Sequence, residues 1–265
     1  MFKIFFFIYA QVAQLVEQAT ENRCVGGSIP PLGTTFKIFS LIFIFSLSSC
    51  GNNNDFFPDN EGLKWDYKIT ITSDYKGITE EKRLSVTNVK TLIQGKGTTF
   101  SKLHSNGNLF TFYKDKQKQS LSRIGAILYF DEGYDEPVKK LINPSFDLKV
   151  KNWKSINQLF ITKGFQPPLR GFKPSSVFDM KYSIVSSNIE LNVKAGKFQR
   201  CVHIKGNGKT EFIADTRSGP NEVEISSEEW ICPGVGLVKE KRVESTNASA
   251  FGTQKYYKEL INYKR

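Results

Sequence analysis

Four cysteines and two histidines are the residues in this chain whose chemistry is most specific. The cysteines are Cys24, Cys50, Cys201 and Cys232; the histidines are His104, in the turn-like Lys-Leu-His-Ser-Asn-Gly-Asn, and His203, which alternates with Cys201 along a strand-like run. A Ser-His-acid hydrolase needs one histidine, so either would serve. No Gly-x-Ser-x-Gly elbow precedes a helix, however. Cys201-x-His203 is too sparse for a zinc ligand set, so neither a metal nor any other cofactor is expected. The acidic clusters Asp131–Glu136 and Glu228–Glu229 have the residue types that glycoside hydrolysis uses in pairs, but carboxylates on loops and strand faces are ordinarily just solvated. Trp65, Trp153 and Trp230 suit either a lipid or glycan pocket or a core. Gly196, Gly234 and Gly236 superficially suggest a phosphate cradle. No Lys-Ser/Thr follows in a helix, which excludes a P-loop. With Pro233 they read as structural turns: Gly196 before Phe198 enters a sheet, Pro233-Gly234 as a tight turn, Gly236 easing the bend into the next strand.

The elements that must position these residues are strands. In "LKWDYKITITS", Trp65, Tyr67, Ile69 and Ile71 fall on one face and Lys64, Asp66, Lys68 and Thr70 on the other. Similar runs are "RLSVTNVKTLI", "TTFSKLH", "NLFTFYKD", "SRIGAILYF", "VFDMKYSIVSSNIELNV", "KFQRCVHIKG", "KTEFIAD", "NEVEISSEEWIC", "GLVKEKRVES" and "TQKYYKELINYK". Turn signals such as "HSNGN", "KAGK", "GNGK", "TRSGPN" and "CPGVG" separate many of them. Short strands joined by tight turns make antiparallel sheets. Little helix is expected; "DEPVKKLIN" is the candidate. "KGFQPPLRGFKPSS" holds three of the ten prolines and reads as an irregular crossover. It could split the chain near residue 165, but a single domain over residues 61–265 is preferred.

The N-terminal stretch Ala10–Thr35 has no clean period. Back-translated with synonymous codons, it closes into the acceptor stem, D-arm, anticodon arm carrying GAA, and T-arm of a phenylalanine transfer RNA gene. Residues 1–35 therefore read as an extension that includes transfer RNA sequence translated as protein, outside the fold. After it, Lys37 and the apolar run Ile38–Leu47 lead to Leu47-Ser48-Ser49-Cys50. This order resembles the signal peptide and lipobox of bacterial lipoproteins. The resemblance implies cleavage before Cys50, a diacylglyceryl group on its sulfur and acylation of the new amine, since several chains anchor stably where one is marginal. Residues 36–49 would be the signal peptide and 50–60 a lipidated tether, with "GNNND" polar and flexible. No Met lies between Met1 and Met180, so a non-ATG start near Ile38 or Leu41 is expected. The same resemblance implies that Gly51 after the lipidated Cys leans towards the outer membrane, facing the periplasm, if the cell is Gram-negative.

Three spaced motifs carry a second resemblance: Gly62, Trp65 and Tyr67; Ala195, Gly196 and Phe198; and Pro233–Val238, a Pro-Gly-Val-Gly-Leu-Val hairpin. Together they resemble a diffuse group of uncharacterised secreted or lipid-anchored bacterial β-proteins. The resemblance implies a mainly β fold, a curved antiparallel sheet of half-barrel or sandwich-like form, and no agreed activity.

The chain carries a formal charge of +11. Its lysines alternate with apolar residues and no run of five or six basic residues occurs, so nucleic acid is not an expected partner. The expected partners are a membrane, through the lipid anchor, and an apolar ligand or an envelope protein. With Cys24 in the transfer RNA stretch and Cys50 in the anchor, Cys201 and Cys232 remain as an even pair in an oxidising compartment, and a disulfide is expected. Two function classes follow: a non-enzymatic binding or structural envelope lipoprotein, or an envelope hydrolase with an unrecognised site. The first expects an apolar cavity, the second a cleft where His104 or His203 meets a carboxylate and a serine.

Overall fold

Period-two alternation puts Trp65, Tyr67 and Ile69 on the buried face of the first strand, with Lys64 and Asp66 outside the core. The same alternation recurs along the chain, and the computed structural model, which describes residues 55–74, 77–117, 120–128, 140–143, 149–162, 177–214 and 219–265, turns it into strands. These are β1 (Lys64–Ser73), β2 (Ile78–Gln94), β3 (Gly97–His104), β4 (Leu109–Asp115), β5 (Ser120–Ile127), β6 (Lys140–Asn143), β7 (Asn152–Gln158), β8 (Val177–Val193), β9 (Gly196–Ile213), β10 (Pro220–Cys232), β11 (Gly236–Thr246) and β12 (Thr253–Lys264). Among the described residues there is no helix.

All twelve strands belong to one antiparallel sheet in the order β6-β5-β4-β3-β2-β1-β12-β11-β10-β9-β8-β7. Except at β6 and β7, consecutive strands pair with each other, and β12 pairs back onto β1. The ring of neighbours is open at one seam, between β6 and β7. The sheet is curved, because Arg123 of β5 lines the same cavity as Asn157 of β7 and Arg242 of β11. Bulges supply bending points: the register shifts at Asp66/Tyr67, Asn88/Lys90, Thr111/Phe112 and Trp230/Ile231. The architecture is the half-barrel form and not the sandwich.

Three details differ from the sequence reading. "DEPVKKLIN" is not helical over its described part: Lys140–Asn143 is β6, because pairing with Leu121–Arg123 of β5 outweighs local helix preference. "GNGK" is not a turn: "KFQRCVHIKG" and "KTEFIAD" are one strand, β9. Gly206 and Gly208 sit in that strand because the facing side chains leave no space. A Cβ at 206 would lie 2.5 Å from Ser227 Oγ and 2.7 Å from the Tyr182 ring, and one at 208 would lie 2.8 Å from the Phe178 ring. Finally, Asp55–Asn60 is packed on the sheet and is not free tether. Phe56 and Pro58 are buried; Asn88 Nδ2 donates to Pro58 O (3.2 Å) and Asn60 O (3.0 Å), and Gly234 N to Asp55 O (2.7 Å). The proline-rich 163–176 lies outside the described residues.

The core has two buried clusters. One gathers Trp153, Phe178, Met180, Tyr182, Ile204 and Ile225 with Phe56, Leu159 and Phe251. The other gathers Trp65, Tyr67, Val86, Val238 and Leu260 with Cys201 and Cys232. The far half of the β8–β9 hairpin covers the second cluster with Ile189, Leu191 and Phe198. It bends there through register shifts between Ile184 and Leu191, and through Asn188 and Arg200, whose φ values are 60° and 57°.

Candidate functional site

The polar centre of the concave face is built on β11, where Val238, Glu240, Arg242 and Glu244 alternate. Arg242 Nε donates to Glu244 Oε1 at 2.7 Å, and both side chains are almost wholly buried. Glu244 Oε2 accepts from the backbone N–H groups of Phe160 (2.8 Å) and Ile161 (2.7 Å). Arg242 donates Nη2 to Gln158 O (2.8 Å) and Nη1 to Asn157 Oδ1 (3.3 Å), with its guanidinium 4.2 Å over the Phe160 ring. A desolvated ion pair is tolerated when its remaining donors and acceptors are met, as here. The pair thereby fastens the segment leaving β7 into the hollow of the sheet.

Beside it is a cavity of about 110 Å³ lined by Arg123, Asn157, Tyr182, Ser227, Glu229, Glu240 and Arg242 among others. It is polar and has room for a few waters; pockets for drug-sized ligands run to roughly 300–1,000 Å³. Asn157 Nδ2 donates to the Tyr182 hydroxyl at 3.0 Å, and burial pushes the Tyr182 phenol well above its usual range. The buried Ser227 hydroxyl has no hydrogen-bond partner among the described residues. Further along the same face Lys258 lies 3.7 Å from Glu240 and 4.6 Å over Tyr67, and Lys102 lies 4.0 Å over Trp65. Burial, reinforced by Lys258, pulls the Lys102 ammonium down to about 7, and burial with both lysines pulls His104 down to about 3.

His104 therefore faces lysines and the Phe110 ring, 4.8 Å away, and among the described residues no carboxylate pairs with it. His203 does meet a carboxylate: Nε2 lies 2.7 Å from Glu228 Oε2, and the ring stacks on Trp230 at 4.5 Å. It is on the face opposite Val202 and Ile204. Register sets Ser186 across from it, yet among the described residues no serine hydroxyl is hydrogen-bonded to either histidine. Glu228 and Glu229, adjacent on β10, point to opposite faces, so they do not form a catalytic pair. Instead Glu229 stands opposite Glu240 of β11, and both line the cavity. Asp131–Glu136 lies outside the described residues, as does Cys50. Trp65 is core, donating Nε1 to Val235 O at 2.7 Å. Trp153 is also core and stacks on Tyr182; Trp230 is half-buried on the outer face.

Cys201 and Cys232 are bonded, with S–S 1.97 Å and Cα–Cα 4.1 Å. They lie on the hydrogen-bonded neighbours β9 and β10 next to the Val202–Ile231 pair. Gly196 opens β9, and Pro233 and Gly234 turn β10 into β11. Gly234 (φ +74°) and Gly236 (φ +92°) take left-handed conformations that side chains disfavour. That turn also brings Val235 O and Leu237 O to Trp65 and to the Tyr67 hydroxyl.

Arg123, Asn157, Ser227, Glu240, Arg242 and Glu244 were not singled out from the sequence. A signal existed in "GLVKEKRVES": Val238, Glu240, Arg242 and Glu244 share one face, acid-base-acid, a self-neutralising series that burial tolerates.

No protein family and no curated protein matches the chain. Two solved structures are similar to it. One is a "putative lipoprotein" from Parabacteroides distasonis, at 13% identity and TM-score 0.38, covering 79% of this chain and 98% of that one. The other is a "putative exported protein with YmcC-like fold" from Bacteroides fragilis, at 12% identity and TM-score 0.36, covering 80% of this chain and 99% of that one.

Proposed function

We propose that the chain is a lipid-anchored, non-enzymatic module of the cell envelope, held to the membrane through Cys50, whose role is to engage an envelope partner. The observation that carries the non-enzymatic half is the Arg242–Glu244 pair. It occupies the hollow of the sheet, satisfies itself and the Gln158–Ile161 backbone, and leaves about 110 Å³ of polar space. That space suits neither an acyl chain nor a reacting substrate. The larger space among the described residues, an open groove of about 550 Å³ lined by Lys197, Phe198, Arg200, Pro233, Tyr263 and Arg265, is of mixed polarity and fits an envelope protein better than an enclosed apolar ligand. The anchor rests on the order of basic residue, apolar run and Leu-Ser-Ser-Cys; Gly51 favours the outer membrane over the inner.

Cys50→Ala in the native host tests the anchor: the protein should leave the membrane fraction and lose its acyl mass. Persistence in that fraction, acylated as before, would refute it. Organic extraction of natively purified protein tests the rest. A stoichiometric apolar molecule in the extract would restore the ligand-carrier reading.

A further inference from the structure

The antiparallel order sorts the turns of this sheet between two ends. β1 starts and β12 finishes at one of them, so the β2–β3, β4–β5, β8–β9 and β10–β11 turns fall at that end too. Asp55 is tied to the same end, through Gly234 N. Four residues separate it from Cys50, and the five Cα-to-Cα steps reach at most about 18 Å when fully extended. An acylated Cys50 therefore holds this end, and not the other, close to the bilayer.

Two further features single it out. Lys96, Lys116, Lys194, Lys197, Arg200 and Arg265 are all exposed there. Several acidic groups there are paired within the protein, Asp55 and Asp59 with Lys114 at 2.6 and 3.7 Å, Asp66 as acceptor from Ser85 and Asn262, and Glu259 as acceptor from the Lys194 N–H and the Tyr257 hydroxyl, while Glu61 and Glu190 are exposed and are outnumbered by the exposed basic side chains. The tip of the β2–β3 hairpin also presents Leu92 and Ile93 to solvent, 41% and 78% exposed. That tip is braced against the segment leading from the anchor, since Thr91 Oγ1 donates to Asp59 O and Thr91 N to Glu61 Oε1 at 2.7 Å. Lys116 N donates to Lys96 O at 3.0 Å, which sets the two lysine-bearing turns side by side. Apolar side chains ringed by lysines, at the end a short lipid tether leaves from, have the composition of an interfacial membrane contact.

We infer that this end of the sheet docks on an anionic phospholipid bilayer, with Leu92 and Ile93 set into the headgroup region and the basic side chains on the lipid phosphates. The inference deepens the anchor reading but is tested apart from it. Protein from the native host carries a fluorophore at Gln117→Cys, on the β4–β5 turn, or at Ser245→Cys, near the opposite end. It is mixed with vesicles of phosphatidylcholine, with and without phosphatidylglycerol, containing nitroxide lipid. Flotation reports attachment, and quenching reports which end touches lipid. With anionic vesicles the label at 117 should be quenched and the one at 245 should not. Quenching should fall several-fold with neutral vesicles, and again in Ile93→Asp/Lys96→Glu/Lys116→Glu, each charge contributing roughly fivefold in surface affinity. Unacylated protein that floats with anionic vesicles and is quenched at 117 would refute the anchor and keep the docking. Equal quenching at both positions, quenching at 117 that ignores lipid charge and the triple variant, or no flotation with anionic vesicles would overturn the docking.

Discussion

Glu244→Ala is the sharpest test of the interior. The substitution removes the counter-charge of a guanidinium that is 5% exposed, and with it the acceptor for Phe160 N and Ile161 N. Breaking a buried pair from one side costs about 3–5 kcal/mol, because the surviving charge stays desolvated. The two orphaned N–H groups would each add about 1–3 kcal/mol if no water reached them. Domains are stable by about 5–15 kcal/mol in total, so a loss of roughly 4–6 kcal/mol leaves a marginal fold. Arg242→Met should cost about 3–5 kcal/mol by the same reasoning. The double variant Arg242→Met/Glu244→Ala should be less damaging than the sum, since no buried charge remains and the backbone donors are the chief residual loss. Urea titration of the four proteins by tryptophan fluorescence gives the cycle. A Glu244→Ala cost under about 1 kcal/mol, or additive singles, would show that the pair does not fasten the segment after β7.

Further outcomes follow from the same geometry. His104 is pulled from 6.5 to about 3 and Lys102 from 10.5 to about 7. The unfolded chain therefore binds more protons in both windows, and stability should rise with pH from about 3 to 6.5 and again from about 7 to 10.5. His104→Gln should flatten the first rise and Lys102→Met the second in denaturation curves taken across pH; wild-type slopes in both variants would contradict this. The unreduced protein should take up no alkylating reagent at Cys201 or Cys232. Replacing both by Ser should cost about 3–4 kcal/mol on the loop-closure account, read as a shift in urea midpoint. Gly206→Ala should destabilise by about 1–3 kcal/mol, because its Cβ would meet Ser227 Oγ at 2.5 Å; a neutral result would mean that Ser227 and Tyr182 move aside freely.

Much of this protein was legible in the residue order because most of its strands are amphipathic. Trp65, Tyr67 and Ile69 declare their face by alternation, and the Pro233–Gly236 turn declares its hairpin by composition; both are local effects. The Cys201–Cys232 pairing could be reached by elimination, but its place on adjacent strands depended on β9 running through Gly206 and Gly208. Those glycines carry a turn signature in sequence, and only the bulk of Phe178, Met180 and Tyr182 on the neighbouring strand makes them strand residues. The same limit hid the interior site. Glu240, Arg242 and Glu244 read locally as an exposed charged face. Arg242 and Glu244 are buried, and Glu240 half-buried, because the sheet curls until the end of β7 returns over β11, and that curl is a sum of bulges and twists over many strands which no short window of sequence contains. The half-barrel form, its open seam between β6 and β7, and the gathering of the basic turns at the tethered end were likewise decided by tertiary structure, since each depends on which strand ends meet in space.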